Sequence, residues 1–316
     1  MARTSHDYYD HPVFNPLKLH LVTPAIRQLN RDIHQWLWTG TTGGLITGTA
    51  RVGKTTALQS LASQLFMRGR NQIPVYQVSI PKRDKHTVLT VFRQLCFSAN
   101  LRVSPRDIAD HLSDRYIQFI ADAAVETECN RAVLMVDEMQ RLKAPQFDAF
   151  AELYDKLLLL NIALTVLFIG NDPECWPLVE EVENDRYAHI HGRFFTQGVE
   201  FLGLTSMSQV NDCLKQYDEL RYPTQKDPTY TAFFLPEEFK KGWRLASLSS
   251  DLWHVFHCYQ LQYHLKSWGM QYFTATINTL LSDFLPRYGV DRFNEDMVHE
   301  CVRLSGLVPS LVRPTG

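Results

Sequence analysis

Eight residues from Gly48 to Thr55, with the sequence GTARVGKT, place two glycines, a lysine and a threonine at fixed spacing. The spacing fits G-x-x-x-x-G-K-[ST], in which the glycines let backbone N–H groups surround a phosphate. Lys54 would then bridge the β- and γ-phosphates of ATP, and the Thr55 hydroxyl would bind Mg²⁺. We expect the nucleotide contacts in this loop and the first residues of the helix after it: Gly48, Thr49, Ala50, Arg51, Val52, Gly53, Lys54, Thr55 and Thr56.

An acidic pair, Asp137 and Glu138, ends the apolar run AVLMVDE. In an ATPase, one acid holds the magnesium ion and a second group orients the attacking water. Asp137 is therefore the predicted second magnesium residue, acting through water, and Glu138 is the residue predicted to polarise the attacking water. The plain alternative is a solvated strand end, but this pair follows a buried strand on the same sheet edge as the loop.

Two further side chains complete the predicted catalytic set. Asn171 ends the run LFIGN, where a polar group can touch the γ-phosphate or the water; the alternative is a turn asparagine. Arg193 lies just ahead of the last predicted strand, where it could reach the γ-phosphate of a neighbouring subunit. Arg186 competes for that role, and a surface arginine without function is the plain alternative.

Strand-length apolar runs alternate with helix-length segments through the first two thirds of the chain. The predicted strands are Gly44–Thr47, Ile73–Ile80, Ala132–Val136, Ala163–Ile169 and Val199–Leu202. The predicted helices between them are near 54–68, 85–99, 105–126, 146–160 and 174–184, and an earlier one covers 23–38. Buried strands that alternate with helices predict an α/β fold with a parallel five-stranded sheet between helices. The motifs then fall at the carboxyl ends of strands, where open α/β sheets bind ligands.

Composition limits the kind of protein. The 32 Lys and Arg against 34 Asp and Glu leave a formal net charge of −2, so any attraction to nucleic acid must be local. The six cysteines show neither a C-x-x-C pair nor zinc spacing, which favours reduced thiols in a cytoplasmic protein. The apolar stretch at 157–170 is too short to span a bilayer, so we expect no membrane partner.

The order of these motifs resembles that of the AAA+ ATPases. Within that superfamily, the blocks GTARVGKTT, VLMVDEMQRL and FIGNDPE are most similar to the ATPase regulators of bacterial DNA transposition. These are the TnsC type of the heteromeric transposons, some of which are CRISPR-associated. The resemblance covers roughly residues 20–285. It implies an ATPase that uses ATP and Mg²⁺, forms a ring or filament on duplex DNA, and links a target-selection protein to transposase subunits.

The resemblance also predicts the domains. They are an N-terminal arm at 1–22, an AAA+ α/β ATPase core at 23–204, a smaller all-helical lid at 205–290, and a C-terminal helix and flexible tail at 291–316. Two departures stand out. The segment 246–261 lacks the arginine that such lids usually carry, which predicts slow hydrolysis. In the phosphate loop, Val52 occupies a position where a further glycine is common.

A local basic cluster is the candidate DNA contact. Between positions 82 and 106 the chain carries six Lys and Arg against the single acid Asp84. Lys82, Arg83 and Lys85 are the predicted contacts, because basic side chains at a helix start can bind phosphates without reading bases. A solvated helix start is the plain alternative.

Two other functions stay open at this point. One is a replication initiator or loader of the same superfamily, which a winged-helix domain after the lid would favour. The other is an AAA+ signalling or chaperone-like ATPase that acts on protein partners without DNA.

Overall fold

The computed structural model describes residues 9–15, 18–69 and 71–307 of the chain. They form two compact units. An α/β unit comprises Gln28–Ala50 and Lys54–Phe201, with position 70 left out of the description. A helical unit comprises the described parts of Met1–Arg27 and Leu202–Gly316, together with Arg51–Gly53. The tail predicted at the end of the chain lies outside the described residues from position 308 onward.

The α/β unit contains a five-stranded sheet in the order β2-β3-β4-β1-β5. Its strands are β1 (Gly43–Gly48), β2 (Val75–Ser79), β3 (Arg131–Asp137), β4 (Ala163–Asn171) and β5 (Gly198–Glu200). Every neighbouring pair is parallel. The predicted parallel five-stranded sheet between helices is confirmed, and each predicted strand exists.

Seven α-helices of the described part of the chain accompany this sheet. They are α1 (Pro24–Thr39), α2 (Lys54–Ala62), α3 (Val88–Ser98), α4 (Ala109–Glu126), α5 (Asp148–Leu159), α6 (Trp176–Val182) and α7 (Ala188–Phe194). The central strands β3 and β4 are buried along nearly their whole length, as expected for a sheet covered on both faces. On one face the Phe168 ring lies 5.0 Å from Phe147 and 5.1 Å from Phe150. The apolar stripe of α5 therefore packs against β4.

The helical unit follows β5. Its helices are α8 (Met207–Glu219), α9 (Tyr230–Phe234), α10 (Pro236–Lys240), α11 (Ser249–Tyr263), α12 (Met270–Thr279), α13 (Leu285–Tyr288) and α14 (Glu295–Ser305). The buried Trp268 ring stacks on Phe256 with 4.6 Å between ring centroids. A Cβ atom at Gly203 would lie 2.1 Å from the Trp268 carbonyl oxygen, so this approach requires glycine. The assignment of this unit as a lid stays a prediction.

The two helices that differ most from the prediction are shorter than expected, because local hydrogen bonds end them. The helix expected over 54–68 ends at Ala62, and the chain then turns so that the Ile73 N–H donates to the Leu65 carbonyl at 3.0 Å. The helix expected from 105 begins at Ala109, since the Ser104 N–H donates to the Asp107 carboxylate at 2.8 Å and forms a turn there. Within the described ranges, no helix combines the length and apolarity needed to cross a membrane.

Candidate nucleotide-binding site

The sheet brings the predicted nucleotide residues to one edge, the edge formed by the carboxyl ends of its strands. Strands β1 and β4 are neighbours in parallel register, with Gly48 directly opposite Asn171. Strand β3, on the other side of β4, ends at Asp137. Because the carboxyl ends of parallel strands point the same way, the start of the glycine loop, the acidic pair and Asn171 share this edge. These three elements therefore lie together, and their roles in nucleotide binding stay predictions.

Lys54 is fixed at the centre of the edge. Its Nζ donates to the Gly48 carbonyl at 2.7 Å, the Thr49 carbonyl at 2.9 Å and Asn171 Oδ1 at 2.9 Å. An ammonium group has three donors, so all are satisfied by oxygen acceptors. Burial lowers the pKa of Lys54 below its ordinary value, and the negative charges of the acidic pair oppose that shift. The loop thus holds a buried ammonium where an anionic phosphate would be bound.

A threonine and an aspartate form the candidate magnesium site. The Thr55 hydroxyl donates to Asp137 Oδ2 at 2.9 Å, and Asp137 Oδ1 accepts from the Glu138 N–H at 2.9 Å. Mg²⁺ prefers oxygen ligands and is usually held by one or two carboxylates together with substrate phosphates and water. The described residues contain no group of three or more His, Cys, Asp or Glu suited to a metal ion. By the ligand preference of Mg²⁺, the Thr55 hydroxyl and the Asp137 carboxylate fit an ion that takes its other ligands from nucleotide and water.

Backbone conformation and burial distinguish the residues at the tip of the glycine loop. Gly53 has a φ of +106°, a conformation that residues with a Cβ atom rarely adopt. Val52 has no exposed surface, so the side chain at the position of the expected extra glycine is buried. Arg51 adopts a φ of +65°, and within the helical unit its guanidinium lies 5.7 Å from the centre of the Tyr272 ring.

Glu138 is held by two residues to which the sequence interpretation assigned no role. Glu138 Oε2 accepts from Gln140 Nε2 at 2.9 Å and pairs with an Arg141 guanidinium nitrogen, also at 2.9 Å. Gln140 Oε1 in turn accepts from the Asn171 N–H at 3.3 Å. Glu138 itself has a φ of +61°, and such strain in a non-glycine residue is common at functional sites. In the sequence, the one indication of these contacts is spacing, since Gln140 and Arg141 follow Glu138 by two and three positions.

The two candidate arginines have different surroundings. Arg193, in α7, pairs with Asp155 at 3.1 Å and lies 4.8 Å from the centre of the Tyr154 ring, so it is held against α5. Arg186 is exposed and forms no ion pair with any described residue; its guanidinium lies 5.5 Å from the centre of the adjacent Tyr187 ring. The in-trans role of Arg193 stays a prediction, and reaching a neighbouring subunit would require its ion pair to open.

The predicted DNA contacts lie together on one loop. Lys82, Arg83 and Lys85 are exposed between β2 and α3, and none of them forms an ion pair with another described residue. Arg93, in the same cluster by sequence, differs because its guanidinium donates to the Pro105 carbonyl at 3.1 Å. The helix starts later than expected, at Val88, so the three basic residues precede it.

Part of the chain is similar to a known domain family, and its fold is similar to that of solved structures. Residues 39–179 match the family model described as an AAA domain. No curated protein matches the chain significantly. The ADP form of the ORC2 protein from Aeropyrum pernix is similar with a TM-score of 0.52 and 14% identity, over 90% of this chain and 69% of that one. The ORC1 protein from Aeropyrum pernix in complex with DNA gives 0.52 and 14%, over 92% and 68%. At such identity the likeness concerns the fold, which is the AAA+ fold. The likeness to the AAA domain family concerns residues 39–179.

Proposed function

We propose that this protein is an ATPase that assembles on duplex DNA, without sequence preference, when ATP is bound. In this proposal it regulates transposition by linking target selection to the transposase. The observation that carries the proposal is a pair of hydrogen bonds at one edge of a parallel sheet, from Lys54 to Asn171 and from Thr55 to Asp137. These side chains are the ones required to bind a nucleoside triphosphate with magnesium.

The hydrolytic step follows from their positions. Lys54 would neutralise charge on the β- and γ-phosphates, while Asn171, which holds Lys54 at 2.9 Å, would orient it. Mg²⁺, held by Thr55 and through water by Asp137, would supply further charge neutralisation. Glu138 would accept a proton from the attacking water as the water oxygen bonds to the γ-phosphorus. The bond from that phosphorus to the β–γ bridging oxygen breaks at the same time, giving ADP and phosphate.

Self-association is part of the proposal because, in this mechanism, the arginine that contacts the γ-phosphate comes from a neighbouring copy of the chain. Arg193 is the proposed in-trans group, acting on nucleotide bound by a neighbouring copy in a ring or filament. ATP at such interfaces would favour assembly, and its slow hydrolysis would favour release. The nucleotide thus acts as a switch on assembly.

The DNA part of the proposal is supported by the exposed loop that carries Lys82, Arg83 and Lys85. Side chains that form no ion pair with described residues can bind a polyanion without first breaking a bond. Repeated in each subunit of an oligomer, the loop would follow the phosphate backbone. The Aeropyrum pernix ORC1 protein is in complex with DNA, but its likeness to this chain supports the fold only.

The transposition part rests on the resemblance of the three motif blocks to TnsC-type regulators. It proposes transposase subunits and a target-selection protein as partners, in the cytoplasm. A replication initiator or loader of the same superfamily is one alternative, which a winged-helix domain after the lid would favour. An ATPase that acts on protein clients without DNA is the remaining alternative.

The deciding experiment is fluorescence anisotropy of a labelled random-sequence duplex, titrated with the full chain in an ATP analogue, in ADP and without nucleotide. We expect cooperative binding only with the ATP analogue. Replacing Lys82, Arg83 and Lys85 together by alanine should lower the salt slope by about 2.7, since each phosphate contact contributes about 0.9.

The matched control replaces three other exposed lysines, Lys226, Lys240 and Lys241, by alanine and so changes the net charge equally. This control should bind DNA like the unmodified protein. Equal or absent binding in all three nucleotide states would reject DNA as the partner and favour the protein-client alternative.

A further inference from the structure

Strand β2 has a side that no described strand covers. It ends the sheet order β2-β3-β4-β1-β5 and pairs with β3 alone among the described strands. The Pro74 carbonyl accepts a hydrogen bond from β3 at 2.9 Å, and the Ile80 N–H donates one to β3 at 3.0 Å. Backbone groups point to alternate sides along a strand, so those of Val75 and Gln77 point away from β3. In the described part of the chain, these outward N–H and C=O groups have no hydrogen-bond partner.

An open groove borders this side of β2, within the α/β unit. The Tyr76 ring lies 5.2 Å from the ring of Phe119 in α4, whereas Gln77 Nε2 donates to the Leu58 carbonyl in α2 at 3.0 Å. Successive side chains of a strand point to opposite faces of the sheet, so α2 and α4 lie on opposite faces. The groove therefore opens between two layers of helices, and none of the residues that line it carries a charge.

These features favour the main chain of an extended peptide as the ligand. Outward N–H and C=O groups on a strand are satisfied when a peptide adds a further strand to the sheet. The uncharged lining gives a nucleic acid nothing to pair with its phosphates. Edge strands are commonly protected by lysine or proline, and the outward positions Val75 and Gln77 hold neither. Because helices border the groove on both faces, a single chain enters it more readily than the edge of a second sheet.

The segment 308–316, with the sequence VPSLVRPTG, has the chemistry that this groove requires. It lies outside the described residues. It contains three aliphatic residues and a single charged residue, whereas the segment 1–8, MARTSHDY, carries both an arginine and an aspartate. An uncharged groove favours the first segment over the second, because burying a charge without a partner is costly.

The spacing of its prolines also suits a short added strand. Pro309 and Pro314 lack an N–H, so they belong at the ends of a strand, and four residues, Ser310–Arg313, lie between them. Alternate residues of an extended chain point their backbone groups to one side, so two of the four would face β2. Two is also the number of outward residues, Val75 and Gln77, that lack partners for their backbone groups in the described part of the chain.

We propose that residues 310–313 of one copy of this chain bind along β2 of a second copy as an added strand. The inference rests on the self-association in the proposed function, which it deepens, but it requires neither ATP nor DNA. The contact is separate from the one proposed for Arg193. It therefore tethers neighbouring copies and keeps their local concentration high when the nucleotide interface opens.

The first test is fluorescence anisotropy of a labelled synthetic peptide of residues 308–316, titrated with the full chain without nucleotide or DNA. Two further peptides carry N-methyl groups, one on residues 310 and 312 and the other on residues 311 and 313. One of them should bind roughly 20-fold more weakly than the parent, because two hydrogen bonds are lost at about fivefold each. The other should bind within about twofold of the parent, since its methyl groups point away from β2.

A substitution in the groove tests where the peptide binds. Ser98 is exposed at the end of α3, lines the groove, and donates its hydroxyl to the Leu95 carbonyl at 2.8 Å. Ser98→Trp should fill the groove and weaken peptide binding by roughly tenfold or more, as overpacking does. The matched control is Ser247→Trp, because Ser247 is also exposed and donates to the carbonyl three residues earlier, that of Arg244, at 2.7 Å. The control should bind the peptide like the unmodified protein.

Sedimentation of the full chain tests the link between copies. Excess unlabelled peptide should reduce self-association, and Leu311→Pro in the full chain should do the same. The inference is overturned if the parent peptide does not bind, if the two methylated peptides bind alike, or if Ser98→Trp binds like its control. Peptide binding that leaves self-association unchanged also overturns it.

The same experiments separate this inference from the proposed function. Assembly on DNA without peptide binding overturns the inference alone, and the occupant of the groove is then to be sought in another protein. Peptide binding and self-association without any binding of DNA reject the DNA proposal and leave the inference standing. A full chain that does not associate under any of these conditions overturns both.

Discussion

The proposed function has two parts, nucleotide hydrolysis at the edge of the sheet near Lys54 and DNA binding on the loop at Lys82. The basic side chains at these two places have opposite surroundings. At the edge, Lys54 is 8% exposed and its three donors are bonded. On the loop, Lys82 and its neighbours are exposed and form no ion pair with other described residues. The first arrangement fixes one geometry, whereas the second leaves the charges free to adjust.

This difference matches the two ligands. Phosphoryl transfer depends on atoms held within a fraction of an ångström, which requires supporting hydrogen bonds around each group. Binding a DNA backbone depends mainly on the number of charges near the phosphates. Chemistry is therefore expected at the edge and electrostatic attraction at the loop, and substitutions should separate the two.

The largest effect is expected when Arg193 is replaced. This substitution tests whether one chain supplies every group that hydrolysis needs or whether a neighbouring chain supplies the arginine. Arg193→Ala should lower the ATPase rate of the assembled protein by roughly 10³-fold or more, because an arginine finger contributes about that much. Nucleotide affinity, measured at protein concentrations too low for assembly, should stay unchanged. The measurement is steady-state hydrolysis as a function of protein concentration.

Arg186→Ala is the matched control for this prediction. It should leave the rate nearly unchanged if Arg193 acts in trans. The reverse pattern would transfer the role to Arg186, whose guanidinium forms no ion pair with described residues. Loss of nucleotide binding in Arg193→Ala would contradict an in-trans role altogether.

A smaller but still large effect is expected when Lys54 is replaced without loss of charge. Lys54→Arg should weaken nucleotide binding by roughly 100-fold, since a planar guanidinium cannot reproduce the three bonds of a buried ammonium. Isothermal titration calorimetry with an ATP analogue would measure it. Lys156→Arg, at an exposed ion pair with Asp114 and Glu152, is the control and should bind nucleotide normally. Normal binding by Lys54→Arg would show that charge alone suffices at the edge.

The same contrast explains what the sequence could predict. Local signals sufficed for the five strands and for the positions at which they end, because apolar runs and the glycine spacing are read directly from neighbouring positions. The roles assigned to the residues at those positions stay predictions. They did not suffice for contacts set by the tertiary fold. Arg193 pairs with Asp155, 38 positions away, and no pattern in either segment indicates it. Gln140 and Arg141 are close to Glu138 in sequence, but their roles depend on Asn171 and Ile80 in other strands or loops.

The smallest effect is expected on the loop and completes the comparison. Replacing Lys82 and Lys85 together by arginine should leave the affinity for duplex DNA within about twofold, because exposed charges that track a backbone tolerate a change of shape. Replacing both by glutamine should instead lower the salt slope by about 1.8, at about 0.9 for each lost phosphate contact. Anisotropy titrations over a range of salt concentrations distinguish the two variants. A large loss in the arginine variant would mean that the loop positions DNA by specific hydrogen bonds, and that it is organised like the edge of the sheet after all.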